Sequence, residues 1–141
     1  MRVHLSQIES TDTSLKSIYD ISCFNNLVLD GEAKLIVVNN FLCSFNISEI
    51  RQAIELIIKK IRIGGELVII EQDIDLLAMK YFRDEISIEY FNTLLFKIPQ
   101  MSVKSILTSQ FIKTFISASS LKIEEESFDE NLCSYTIKAR K

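Results

Sequence analysis

Glycine and proline are scarce in this chain. Its 141 residues include 3 glycines, at positions 31, 64 and 65, and 1 proline, at position 99. No glycine precedes Asp30, so neither a GxGxxG fingerprint nor a GxxxxGK[ST] loop exists, and the backbone cradles those motifs build for phosphates are excluded. Tryptophan is absent and His4 is the single histidine. The 3 cysteines, Cys23, Cys43 and Cys133, are far apart and form no CxxC pair, which removes the usual spacing of a metal site. Each sits among apolar neighbours and is expected to be a buried, reduced thiol of a cytoplasmic protein. No apolar run reaches the roughly 18 residues of a membrane span. MRVHLSQIES lacks the apolar core of a secretory signal. Lys and Arg number 16 against 19 Asp and Glu, a net charge of -3. Lysines are scattered, so neither a nucleic-acid footprint nor an anionic-membrane patch is written into the chain.

What is present is a core. Apolar residues make up 48% of the chain and charged residues 25%, the balance of one folded domain spanning residues 1–141. A mean hydropathy of +0.19 is high for a small domain and points to a face buried in self-association. The organising stretch runs from Ala33 to Asp73. Leu35-Ile36-Val37-Val38 reads as a strand buried on both faces, closed by Asn39-Asn40. Asn46 and Glu49 stand at capping-box spacing before a helix whose Ile50, Ile54, Ile57, Ile58 and Ile61 share one face. Gly64 is expected to close that helix in the left-handed conformation. Leu67 to Ile70 is a second strand, ending at Glu71, Gln72 and Asp73. Strand, helix, strand is a βαβ unit and implies parallel pairing.

The flanks are less regular. Arg2–Leu5 alternates like a short strand, and 15–21 reads as one or two helical turns. Asp73 is placed to cap a helix over 74–82, and 86–96 reads as another. A break is expected at Pro99, then a helix from Ser102 to about Ser119 with Val103, Ile106, Leu107, Phe111 and Phe115 as its stripe. The last twenty residues read as a hairpin turning at Asp129-Glu130-Asn131. The rings at Tyr81, Phe82, Tyr90, Phe91 and Phe96 lack interleaved basic residues, so core packing or a partner interface explains them better than base stacking.

Asp20-Ile21, then DGEAKLIVVNNFL (Asp30 to Leu42), IRIGGELVII (Ile61 to Ile70) and the final helix and hairpin together resemble the carboxyl-terminal part of class I S-adenosylmethionine-dependent methyltransferases. The resemblance runs from about Asp20 to Lys141. It implies an α/β fold: a Rossmann-like three-layer sandwich with a mostly parallel sheet and an antiparallel carboxyl-terminal hairpin. It also implies roles. Asp20 matches the acidic position at the adenine amine, Ser6 and Ile8 stand where the cofactor loop would carry glycines, and Asn40 lies on the cofactor side of a strand end. Asn39 and Glu71 are the candidates for orienting or deprotonating a methyl acceptor. Each has a plainer reading: Asp20 and the asparagines as turn residues, Asp73 as a helix cap, His4 as a structural histidine within a strand. Side chains at Ser6 and Ile8 narrow the cofactor's approach. The expectation is therefore a degenerate methyltransferase-like protein for binding or assembly. It would bind no cofactor in the usual way, and no metal, nucleic acid or membrane, and it would act as a homo-oligomer or with a protein partner. The alternative is an active methyltransferase that holds S-adenosylmethionine with an atypical loop.

Overall fold

The structure, a computed structural model, describes residues 1–96 and 101–141. Its elements are β1 (Arg2–Ser6), β2 (Lys16–Ile18), α1 (Ile21–Leu27), β3 (Ala33–Asn39), α2 (Ile50–Lys60), β4 (Ile61–Gln72), α3 (Ile74–Phe82), α4 (Ile88–Phe96), α5 (Ser109–Ser117), β5 (Lys122–Asp129) and β6 (Ser134–Arg140). A turn of 3-10 helix, Leu42–Ser44, follows β3. The strands form one sheet in the order β2-β1-β3-β4-β6-β5. The first four pair in parallel and the β5–β6 hairpin joins β4 antiparallel, the α/β architecture expected from the sequence.

One face of the sheet carries the core. Register aligns Val3 with Ile36 and Leu67, and Leu5 with Val38 and Ile69. These pack with Phe24 of α1, Ile54 and Ile57 of α2, and Ile112 and Ile116 of α5 in a single cluster. Each fully buried Ile or Leu contributes about 1.5–3 kcal/mol relative to exposure, so α2, with Ile50, Ile54 and Ile57 at 1% exposure or less, anchors the layer. The opposite face carries Leu35, Val37, Val68 and Ile70. They are half-buried and belong to neither packed cluster. Over β1 and β2 that face is covered by the connection 7–15, tied down by Arg2 Nη1 to Ser14 Oγ at 3.2 Å and Ser10 N to Ser17 Oγ at 3.3 Å. Parallel strands are usually joined through a dozen or more residues with a helix. Here the shorter connection leaves the third layer thin.

Several local expectations are corrected. Lys16–Ile18 is strand β2, not helix, and the helix begins after Asp20, whose carboxylate accepts from Ser22 N and Cys23 N at 2.8 and 2.9 Å. Cys23 lies exposed on it. Half of the capping box before α2 forms: Glu49 Oε2 accepts from Asn46 N at 2.9 Å, and helix proper starts at Ile50. Gly64 does have φ +73°, but α2 ends at Lys60 and Gly64 sits within β4, beside a register shift opposite Ala33 and Leu35. Its neighbour Gly65 is a position of close approach, where a Cβ would stand 2.8 Å from Ile61 Cγ2 and 2.9 Å from the carbonyl of Ala33. The helix expected from Ser102 starts only at Ser109, capped by Thr108 Oγ1 accepting from Phe111 N at 3.0 Å. The break expected at Pro99 lies outside the described residues.

Candidate functional site

The chain leaves β1 for β2 on one side, while β3 lies on the other. The boundary between β1 and β3 is thus a topological switch point, and in open α/β sheets ligands bind in the crevice beyond the carboxyl ends of the strands there. Ser6 pairs with Asn39, and Asn39 with Ile70 just before Glu71. Three sequence candidates, Ser6, Asn39 and Glu71, therefore converge at this crevice together with Asn40. Asp20 does not join them: it follows β2, the edge strand, and its carboxylate caps α1.

Each converging group has a partner. Ser6 is 1% exposed, and its hydroxyl oxygen accepts from Ile8 N at 3.2 Å. Asn40 takes the left-handed conformation, φ 47°, which asparagine tolerates better than most residues. Its Nδ2 donates to Asn39 Oδ1 at 2.9 Å and its backbone N donates to Ile70 O at 2.9 Å. Glu71 is buried, and its Oε1 accepts from both Phe41 N (2.8 Å) and Leu42 N (2.7 Å). Those are the orphan amides at the start of the 3-10 turn, so the carboxylate acts as a cap supplied from the neighbouring strand.

The crevice is spanned by the chain itself. Gln7, directly after β1, donates from Nε2 to Asn40 O (3.1 Å) and Ser102 O (3.0 Å), and Ser102 N donates back to Gln7 Oε1 at 2.6 Å. The segment 101–107 continues over the strand ends as a strap. Lys104 N and Ser105 N donate to Cys43 O at 2.7 and 3.2 Å, and Leu107 bridges to Asp73 and accepts from Ile74 N at 3.3 Å. This strap is the stretch whose Val103, Ile106 and Leu107 looked like a helical stripe. Their side chains instead line a small cavity with Asn40, Cys43, Glu71 and Gln72. Its volume, about 10 Å³, is that of a single water position. Gln72 Oε1 and Ser105 Oγ, shielded from solvent and without a protein partner among the described residues, give it a polar lining.

Electrostatics follow burial. The His4 imidazole lies mid-strand, 5% exposed, and burial pushes its pKa below the ordinary value against the opposing pull of the Asp12 carboxylate. Burial raises Asp73 above the usual carboxylate range although its Oδ1 caps α3, accepting from Asp75 N and Leu76 N. The Tyr135 phenol, fully buried, is pushed far up by burial, with Glu71, Asp73 and Cys43 adding to it, so it stays neutral. No group of three or more His, Cys, Asp or Glu able to hold a metal occurs among the described residues, and no described helix is long and apolar enough to cross a membrane.

Gln7, Gln72, Ser102 and Ser105 were missed by sequence reasoning. Gln7 and Gln72 carried a signal in their positions at strand ends. The strap residues lie about 95 positions away from Gln7 in the chain.

The chain superimposes on an O-methyltransferase family protein from Burkholderia thailandensis with TM-score 0.61 and 12% identity, covering 90% of this chain and 36% of that one. It matches a SAM-dependent methyltransferase from Archaeoglobus fulgidus with TM-score 0.56 and 13% identity over 93% of this chain and 70% of that one. A magnesium protoporphyrin IX methyltransferase from Synechocystis PCC 6803 with bound SAH gives 0.59 and 11%, over 90% and 52%. The fold is that of the class I S-adenosylmethionine-dependent methyltransferases. No family model matches the chain, and no curated protein matches its sequence. The chain spans about a third of the first of these methyltransferases and seven tenths of the second. A ligand of nucleoside size needs a pocket of roughly 300 Å³ or more. The cavity between Asn40, Glu71 and the 101–107 strap is about 10 Å³.

Proposed function

We propose that this is a degenerate methyltransferase-like domain that works by binding or assembly, as a homo-oligomer or with a protein partner, and holds no S-adenosylmethionine in the usual way. One observation carries the reading: Gln7 and the 101–107 strap occupy the switch-point crevice with five short polar contacts of the protein's own. The absence of glycine after β1 supports it, because Ser6 and Ile8 bring side chains to the turn where a cofactor's backbone cradle would lie. So does the commitment of Asp20 and of one Glu71 oxygen to backbone amides. The half-buried sheet face and the apolar α3–α4 surface supply area for association. Two buried cysteines outside any disulfide, Cys43 and Cys133, fit residence in the reducing cytoplasm.

The test is a thermal-shift or calorimetric titration with S-adenosylmethionine and S-adenosylhomocysteine, alongside sedimentation. A ligand of micromolar affinity at millimolar concentration stabilises by about 4 kcal/mol. The expected result is no shift with either ligand. A clear shift overturns the reading and makes the chain an active-site-bearing methyltransferase with an atypical loop, in which Asn39 or Glu71 would orient the acceptor.

A further inference from the structure

The α3–α4 hairpin buries little of its apolar surface. Leu77 and Leu94 are its only buried residues, packed on Cys133 from the β5–β6 turn. Outside remain Phe82 at 88% exposure and Phe96 at 52%, with Met79, Tyr81, Ile88 and Tyr90 also exposed. An aromatic side chain presents about 150–250 Å², so the four rings alone offer on the order of 400 Å². That is as much apolar area as the largest patch of a typical monomer exposes, a scale at which such surface is often functional. The β5–β6 turn adjoins these helices. Tyr90 donates its hydroxyl to Asn131 O at 3.3 Å, and Phe128, Leu76 and Met79 share an open pocket of about 270 Å³ with Asp73, Asp75 and Ser109.

Its rim is acidic. Among the described residues of α3, α4 and the two connecting turns, Asp75, Asp84, Glu85, Glu89, Asp129 and Glu130 are exposed, set against Lys80 and Arg83. A second copy docked here about a two-fold axis would set carboxylates against carboxylates, as would an anionic bilayer. We infer that this surface docks a protein partner presenting a basic amphipathic helix. One apolar side chain of the helix enters the pocket between Met79 and Phe128, and its Lys and Arg residues face Asp75, Glu89 and Asp129. The mode is helix on an apolar surface, with charge setting specificity. The inference rests on the binding-module reading above and names the surface and partner chemistry for it.

The experiment uses the full chain with two labelled helical peptides of about 18 residues, five turns, one of Leu and Lys and one of Leu and Glu. Fluorescence anisotropy follows binding to the native protein and to Phe82→Ser and Met79→Glu, both at exposed positions and both checked for an unchanged Tm. The expected result is saturable binding of the Leu/Lys peptide, weakened at least about tenfold in each variant and weakened by salt, with no binding of the Leu/Glu peptide. Equal affinity for the variants, or no binding of the Leu/Lys peptide, overturns the inference. A concentration-dependent dimer that Phe82→Ser dissolves also overturns it and assigns the surface to a second copy. The S-adenosylmethionine titration reports on the crevice and not on the hairpin, so either conclusion can fail without the other.

Discussion

At Glu71 one carboxylate oxygen takes two backbone amide protons in a buried setting. Glu71→Ala strands both amides and is expected to cost about 2–4 kcal/mol, whereas Glu71→Gln keeps an acceptor and costs about 1 kcal/mol. Urea unfolding of the pair checks this, and equal stabilities would refute the capping role. His4 works in the opposite sense to a paired histidine. Its folded pKa is depressed by burial, so the unfolded chain takes up a proton near 6.5 while the folded one resists it. The stability it contributes is present above 6.5 and declines as pH falls from there toward the folded pKa. His4→Phe should flatten the fall in Tm on moving from pH 7 to pH 5. An unchanged slope would assign that acid sensitivity to other groups.

Among the elements, the strap is held by polar contacts and a small set of apolar ones. Removing the amide at Gln7→Ala takes away both bonds to Ser102. Amide exchange at Lys104 and Ser105 should then accelerate at least about tenfold while β3 amides stay protected, a local opening and not a global one. Exchange rising equally in β3 would show that Gln7 supports the whole sheet. The strap also marks where sequence reading ran out. α2 was legible because Ile50, Ile54, Ile57 and Ile58 repeat with the helical period and bury on one side. β3 and β4 were legible because 35–38 and 67–70 are continuous apolar runs, although burial on both faces is not found: Ile36, Val38, Leu67 and Ile69 are buried and the residues between them half-buried. Val103, Ile106 and Leu107 carry helical spacing as well, yet extended backbone won, since Lys104 N, Ser105 N and Ser102 N find partners across the crevice and not within a helix. Lys16–Ile18 escaped for a related reason: a three-residue edge strand shows no periodicity. At the crevice the sequence brought out Asn39, Asn40 and Glu71 by their positions at strand ends, and Ser6 by the resemblance. Nothing local links Gln7 to Ser102, and Asp20, brought out by the resemblance, has its carboxylate on the first amides of α1.

For the whole molecule, the division into a large core and a satellite cluster is the governing fact. The large core joins sheet, α1, α2 and α5, while α3, α4 and Cys133 form a separate small one. Sub-global opening of the satellite should precede global unfolding, and the cysteines report it. Cys23 is exposed and should react with a thiol reagent at once. Cys133, fully buried and with its pKa raised by burial, should react through opening of α3–α4 at denaturant concentrations below the global midpoint. Cys133 labelling that tracks only the global transition would mean that the two clusters melt as one. The same division explains how a domain with one well-covered sheet face remains a single structure: Gln72 Nε2 donates to Leu132 O and Cys133 O at 2.6 and 2.9 Å, tying the β5–β6 turn to the end of β4 where α3 departs.

The bond pair between Gln7 and Ser102 has a kinetic meaning. It closes a loop of about 95 residues, and the loop-closure entropy is met only once β1 has joined the sheet between β2 and β3. The clasp is therefore expected to form late in folding, after the transition state. In a chevron experiment Gln7→Ala should steepen no arm and leave the refolding rate unchanged, while the unfolding rate rises by the whole of the lost stability. The residue that shuts the crevice would then also govern how long the folded molecule lasts.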